Sequence, residues 1–144
     1  MLWRPLYSSL LVISLVLQVF AGCAWGPDDE PELGTVTGKV TMDGKPLAGV
    51  WVGFAPTEGR SSMGLTDKDG RYTLNYLPET LGAKVGAHKV AVTTPREDES
   101  GAEVKNFRET IPLRYNLQTE LSAEVKSGSN EFNFNLTRRA STRK

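Results

Sequence analysis

Thr35-Val36-Thr37-Gly38-Lys39-Val40-Thr41-Met42-Asp43-Gly44-Lys45-Pro46-Leu47-Ala48-Gly49-Val50-Trp51-Val52-Gly53-Phe54 is the stretch whose pattern decides the fold. Its period is two. Val36, Gly38, Val40 and Met42 share one side, and Thr35, Thr37, Lys39 and Thr41 the other, the alternation of a strand with one buried face. Asp43-Gly44 supplies the positive φ that a two-residue reversal requires. Val50, Val52 and Phe54 then resume the alternation.

The same pattern returns along the chain. Tyr72, Leu74 and Tyr76 oppose Arg71, Thr73 and Asn75, and His88, Val90 and Val92 alternate with Lys89 and Ala91. Leu121, Ala123 and Val125 alternate with Ser122, Glu124 and Lys126, and Phe132, Phe134 and Leu136 with Glu131, Asn133 and Asn135. Asp69-Gly70 and Ser127-Gly128-Ser129-Asn130 mark further turns. The run Ile111-Pro112-Leu113-Arg114-Tyr115 is an edge strand or a loop, because Pro112 cannot donate to a ladder. No segment after the leader keeps a helical period. The expectation is an all-β, antiparallel Greek-key-type sandwich of about seven strands, since one sheet alone would leave its apolar face wet.

Three motifs make this expectation specific. Thr37-Gly38-Lys39-Val40, Asp43-Gly44-Lys45-Pro46-Leu47-Ala48-Gly49-Val50 and Thr66-Asp67-Lys68-Asp69-Gly70-Arg71-Tyr72 together resemble the carboxypeptidase regulatory-like domain, a transthyretin-like fold. Gly86-Ala87-His88-Lys89-Val90, Ile111-Pro112-Leu113-Arg114-Tyr115-Asn116 and Asn133-Phe134-Asn135-Leu136 are similar to small bacterial lipoproteins built from this one domain. The resemblance spans residues 35–137 and implies a prealbumin-like sandwich without catalytic residues, an accessory module in the peptidases that name it. One transthyretin-like enzyme, a hydroxyisourate hydrolase, uses several histidines and a C-terminal Tyr-Arg-Gly-Ser. This chain has a single His and ends Ser-Thr-Arg-Lys.

The chain begins with an address. Met1-Leu2-Trp3-Arg4-Pro5 carries one positive charge and an apolar core follows at Leu10-Leu11-Val12-Ile13-Ser14-Leu15-Val16-Leu17. Small residues then precede a cysteine, Ala21-Gly22-Cys23, so residues 1–22 read as a secretory signal peptide. The run from Leu6 to Gly22, about 17 residues, is at the lower limit for a spanning helix, which is the competing reading. Ala21-Gly22-Cys23 resembles a bacterial lipobox, with Phe20 in place of the usual leucine. A plain signal peptide beside a chance cysteine competes with it. The resemblance implies acyl chains, palmitate among them, on Cys23, and two or more chains anchor stably. Residues 23–34, with four acids, two prolines and two glycines, form a tether. Ala24, where an Asp would retain some lipoproteins in the inner membrane, favours the outer membrane.

Composition removes several function classes. The 144 residues suit one domain. Seventeen Lys+Arg balance 17 Asp+Glu, so no field favours nucleic acid. One Cys and one His exclude an internal disulfide and a Cys/His zinc site. Asp67, Asp69 and Gly70 lack the closing acid of a calcium loop, and the two aspartates are expected to shape a turn. His88 aligns with Val90 and Val92 and is expected inside, hydrogen-bonded. No serine sits in a Gly-x-Ser-x-Gly elbow.

Two aromatic residues remain as candidate binding groups. Trp51 faces away from Val50, Val52 and Phe54, where it stacks a sugar ring, anchors a protein partner or lies beneath a loop. The long connection 95–109 is a solvated loop with Phe107 pinning it to the core, and it is the candidate recognition loop. The basic tail 138–144 is a frayed terminus or a contact with anionic polymer or lipid. The expected function is a non-catalytic envelope lipoprotein, membrane-tethered through Cys23, without cofactor or metal, serving as an interaction or structural module for a protein or envelope polymer. A carbohydrate- or small-molecule-binding protein is the alternative, and an enzyme without familiar motifs stands behind it.

Overall fold

The computed structural model of the chain describes residues 30–98 and 100–139. The leader 1–22, Cys23 with the tether to Asp29, Glu99 and the tail from Ala140 lie outside the described residues. In chain order the strands are β1 (Leu33–Met42), β2 (Lys45–Pro46), β3 (Trp51–Pro56), β4 (Ser62–Leu65), β5 (Arg71–Thr73), β6 (Asn75–Leu77), β7 (Thr80–Leu81), β8 (Ala83–Lys84), β9 (Gly86–Thr93), β10 (Ser122–Val125), β11 (Gly128–Glu131) and β12 (Phe134–Leu136). A 3-10 turn, Leu113–Tyr115, stands before β10. The boundary with the tether falls two residues early, because Leu33 and Gly34 already pair with Lys84 and Ala83.

The first sheet is organised around β1. Its one side takes β8, β5 and β2, all antiparallel. Its other side takes β11 and β12, both parallel to it and in one continuous register, Gly34↔Gly128 through Met42↔Leu136. The all-β sandwich is as expected, but this edge is parallel, since the last strands return beside the first. The second sheet runs β10-β9-β3-β4-β6-β7 and is antiparallel throughout.

The alternating residues meet between the sheets. Val36, Val40, Val52, Phe54, Leu74, Val90 and Val92 are wholly buried, and Met42, Tyr72, Val125 and Leu136 nearly so. Phe54 lies centrally, its ring 5.7 Å from those of His88 and Phe132 and 6.2 Å from Phe134. Tyr76, expected inside with Tyr72 and Leu74, is only half-buried, because the chain leaves the first sheet at Leu74 to enter the second as β6.

Two local details hold β1 in place. Asp43 and Gly44 take φ of 50° and 81°, and Met42 pairs with Lys45 across that reversal. At Gly38 a Cβ would overlap the Phe132 carbonyl, so the residue lets the break between β11 and β12 approach the strand. That break is satisfied on every side. Phe132 N–H donates to Thr37 O at 2.9 Å, Tyr72 Oη to Phe132 O at 2.8 Å, and Lys39 N–H to Asn133 Oδ1 at 2.8 Å.

Strand β4 departs from the sequence pattern. Its inward residues are Ser62 and Gly64, followed by Thr66, all buried, while Met63 and Leu65 point to solvent. The inversion has a steric cause, because a Cβ on Gly64 would overlap the Thr73 carbonyl. The segment 111–115 is the loop alternative, a 3-10 turn whose Asn116 N–H returns to Leu113 O.

Candidate functional site

The inverted strand turns one face of the second sheet apolar. Because Val52 and Phe54 point inward, β3 presents Trp51, Gly53 and Ala55 outward, and β4 presents Met63 and Leu65. Cross-strand register makes these neighbours: Trp51 lies opposite Leu65, Gly53 opposite Met63, Met63 opposite Asn75, and Asn75 opposite Leu81. Leu77 continues the band on β6. Trp51 is 36% exposed and Leu81 57%. No outward position of β3, β4, β6 or β7 carries a charge; charge begins at Lys89 on β9 and Glu124 on β10.

At the Trp51 end the band opens into a groove of ≈ 390 Å³ between that ring and the long loop. Leu113 and Leu117 form the opposite apolar rim, and Leu117 is 88% exposed. Arg96 and Glu97 supply its charged edge. Two further lining groups are committed to holding the walls. The Glu109 carboxylate accepts Thr94 N–H at 3.2 and 3.3 Å, Thr94 Oγ1 at 2.7 Å and Ile111 N–H at 2.9 Å. Buried Asn116 donates Nδ2 to Ile111 O at 3.1 Å and accepts Leu117 N–H at 2.5 Å.

The loop 95–109 is held by its own polar groups. Asp98 Oδ1 accepts Ser100 Oγ at 2.5 Å, Ser100 N–H at 2.9 Å and Ala102 N–H at 3.1 Å. Those bonds, that from the Ser100 hydroxyl foremost, hold the Asp98 carboxyl below its ordinary pKa. Phe107 does not pin the loop to the core as expected. It is half-buried beneath Arg96, whose guanidinium lies 4.9 Å from the ring centroid, and it does not join the core cluster. A cation over an aromatic face is stabilised without leaving water, so Phe107 orients Arg96 along the groove edge. Trp51 and the Arg96 that covers Phe107 thus line one groove.

Behind the rim, Arg114 Nη2 donates to the carbonyls of Thr137 and Arg139 and its guanidinium stacks 4.6 Å from the Tyr115 ring centroid. Burial raises the Tyr115 pKa, but hydrogen bonds with Thr137 and Arg114 outweigh it and hold the phenol below its ordinary value. Arg138 pairs with Asp43 at 2.9 Å, so the start of the basic tail is tied to the β1–β2 turn.

The other sequence candidates lie away from the groove. Asp67 Oδ1 accepts Asp69 N–H and Arg71 N–H, both at 2.9 Å, the turn-shaping role expected. No group of three or more His, Cys, Asp or Glu is placed to hold a metal among the described residues. His88 is buried, and its Nε2 lies 2.7 Å from Lys84 O. A carbonyl only accepts, so Nε2 carries the proton. His88 Nδ1 and Ser62 Oγ are each buried without a partner, so they form no nucleophile–base pair. Cys23 lies outside the described residues. The groove is equipped to hold a group by contact: a flat aromatic wall, two leucines and a charged edge.

No family model matches the chain, so its likeness to the regulatory-like domain rests on the motifs quoted above. No curated protein matches it either. A DUF3823 family protein from Parabacteroides merdae is similar in structure, with 16% identity and a TM-score of 0.40 over 75% of this chain and 47% of that one. A 9R-lipoxygenase from Cyanothece is similar with 20% identity and a TM-score of 0.39 over 74% of this chain and 16% of that one. The chain therefore spans about half of the first protein and about one sixth of the second. Likenesses of this degree carry no functional meaning for the chain.

Proposed function

We propose that the protein is a non-catalytic lipoprotein of the bacterial cell envelope, exported by residues 1–22, anchored through acylated Cys23 to a membrane (the outer one favoured), and working as a contact module through the outer face of its second sheet. One observation carries the contact role. An uncharged apolar band crosses four strands and runs into a groove walled by Trp51. Single exposed leucines are ordinary on a soluble domain, whereas a contiguous apolar band marks an interaction surface. The resemblance to an accessory domain supports a role without chemistry.

Position supports the same reading. The chain enters the sandwich beside β8 and the start of β9, with Val85 N–H bonded to Glu32 O at 2.8 Å. Trp51 pairs with Thr93 at the other end of β9. Eight residues of strand separate the two ends, about 26 Å at the usual rise, so the chain enters the sandwich at the pole away from the groove. A carbohydrate or small planar ligand is the second reading, favoured by the Trp51 ring beside Arg96, Glu97 and Thr94.

Crosslinking in living cells, followed by isolation of membranes, tests the proposal. A reproducible partner that is lost on Trp51→Ala and Leu65→Glu, and lost again when Cys23→Ser frees the protein, is the expected result. Capture that ignores both face substitutions overturns the contact role. Retention of Cys23→Ser in membranes overturns the anchor. Membrane-bound protein without a partner, together with sugar binding lost on Trp51→Ala, selects the second reading.

A further inference from the structure

We propose that the partner of the apolar face is a second copy of this chain, packed sheet to sheet about a two-fold axis that runs along β4 through Met63 and Leu65. The inference rests on the reading of this face as a contact surface and names its occupant. In such a dimer the axis lies in the interface, so each residue meets the one mirrored across β4.

Register decides what that mirror brings together. On one side of β4 the outward positions level with Met63 and beyond it toward Ser61 are small: Gly53 and Ala55 on β3, and Ala91 on β9 beside Gly53. Trp51, level with Leu65, bounds them, and its mirror position across β4 is Thr73, where the chain still belongs to the first sheet. On the other side they are larger: Asn75 and Leu77 on β6, and Leu81 on β7. The two-fold sets Leu77 of one copy on Ala55 of the other, Leu81 on Ala91, and Asn75 on Gly53. Met63 and Leu65 meet their own counterparts on the axis. A ridge of larger residues and a hollow of smaller ones thus lie on one surface, the self-complementarity a closed dimer demands.

Charge and chain direction agree with this packing. Lys89, the charge nearest the band on β9, falls opposite the β6–β7 turn that carries exposed Glu79, so each copy offers one cation to the other's acid. An axis along the strands also keeps both chain starts at one pole, as two copies anchored in one membrane require. A two-fold across the strands would send them to opposite poles.

The mature chain from residue 23, carrying Cys23→Ser, is the material for the test. Sedimentation on the order of tens of micromolar is expected to give twice the monomer mass. Stacked sheets lie about 10 Å apart, so Met63→Cys is expected to join two copies through a short bismaleimide. Ser122→Cys on β10, whose counterparts stand about 29 Å apart in this packing, is not. Leu65→Glu sets like charges on the axis and is expected to weaken the dimer at least about tenfold while leaving the urea midpoint of the monomer unchanged. Lys89→Glu is expected to weaken it too, and Lys89→Glu with Glu79→Lys to restore it.

A dimer that survives Leu65→Glu, or a Ser122→Cys crosslink as strong as that of Met63→Cys, overturns the proposed packing. A monomer at every concentration, with no Met63→Cys crosslink, overturns the second copy. In that event, loss of the cellular crosslinks on Leu65→Glu keeps the face as a contact surface for another partner, and their persistence overturns that reading as well.

Discussion

Ser62→Ala is expected to stabilise the sandwich and Thr66→Ala to destabilise it, although each deletes one hydroxyl from the inward side of the same segment. Ser62 is wholly buried and its Oγ has no hydrogen-bond partner. An unpaired hydroxyl away from water costs roughly 1–3 kcal/mol in proteins. Alanine removes that penalty and leaves a void smaller than a methyl group, so the net gain is about 1 kcal/mol. Thr66 Oγ1, by contrast, accepts Val50 N–H at 3.0 Å, also in a buried setting. Its loss strands that amide and removes a packed methyl, a change of about 2 kcal/mol in the other direction. With a urea slope of about 1.3 kcal/mol per molar, the midpoints move up by about 0.8 M and down by about 1.5 M. Urea unfolding followed by tryptophan emission and by far-ultraviolet circular dichroism measures both, and coincidence of the two probes checks the two-state assumption. A Ser62→Ala midpoint that falls as far as that of Thr66→Ala refutes the reasoning, for the hydroxyl then has a partner and β4 is not carrying an unpaired polar atom.

Three further outcomes follow from the sandwich and its loop. Gly38→Ala drives a methyl into the Phe132 carbonyl and is expected to cost more than about 3 kcal/mol, read as loss of the cooperative thermal transition; a folded variant within about 1 kcal/mol of the parent contradicts the close approach. The Tyr72 phenol is held well above its ordinary value of 10.0 by burial, so its contribution is complete below pH 10 and lost as pH rises through the folded value; absorbance titration should find one tyrosine that ionises only with alkaline unfolding, and Tyr72→Phe should cost about 1 kcal/mol. Asp98 has the opposite sign: its turn is fully held above the ordinary carboxylate value of 3.8 and loosens as pH falls through the lower folded value. A carbon-detected titration that places Asp98 at or above 3.8 denies the three bonds to its Oδ1.

Much of the sandwich was legible because its core strands alternate without interruption. Val36, Val40 and Met42 on β1, Val52 and Phe54 on β3, and His88, Val90 and Val92 on β9 all lie inside as their spacing dictates. Strand β4 was not legible, since Ser62, Gly64 and Thr66 read as loop composition and only the proximity of Thr73 explains them. The passage from β5 to β6 at Leu74 was hidden for another reason: alternation continues through it while the chain changes sheets. Parallel pairing of β11 and β12 with β1 is a relation between distant segments, and local pattern does not encode it. The site followed the same division. Trp51 was found by its phase against Val52 and Phe54, but the band beside it depends on Met63 and Leu65 of the missed strand. Arg96 and Phe107 share one loop, and only the folded loop reveals that one lies on the other.

The wiring of β1 bears on when the protein can fold. The hydrogen-bonded residues Lys39 and Asn133 are 94 residues apart, so β1, first of the described strands to leave the ribosome, waits for β12 before one of its edges is satisfied. Contacts this distant in sequence are slow to form, because a long loop must close before any reward arrives. A growing chain of this kind has no stable stopping point short of Leu136, and a truncation before Phe134 leaves the donors and acceptors of Val40 to Met42 bare along that edge. For a chain proposed to be exported, delay is useful: it stays slack enough to be threaded through a narrow channel, and it closes only after its final strand has crossed.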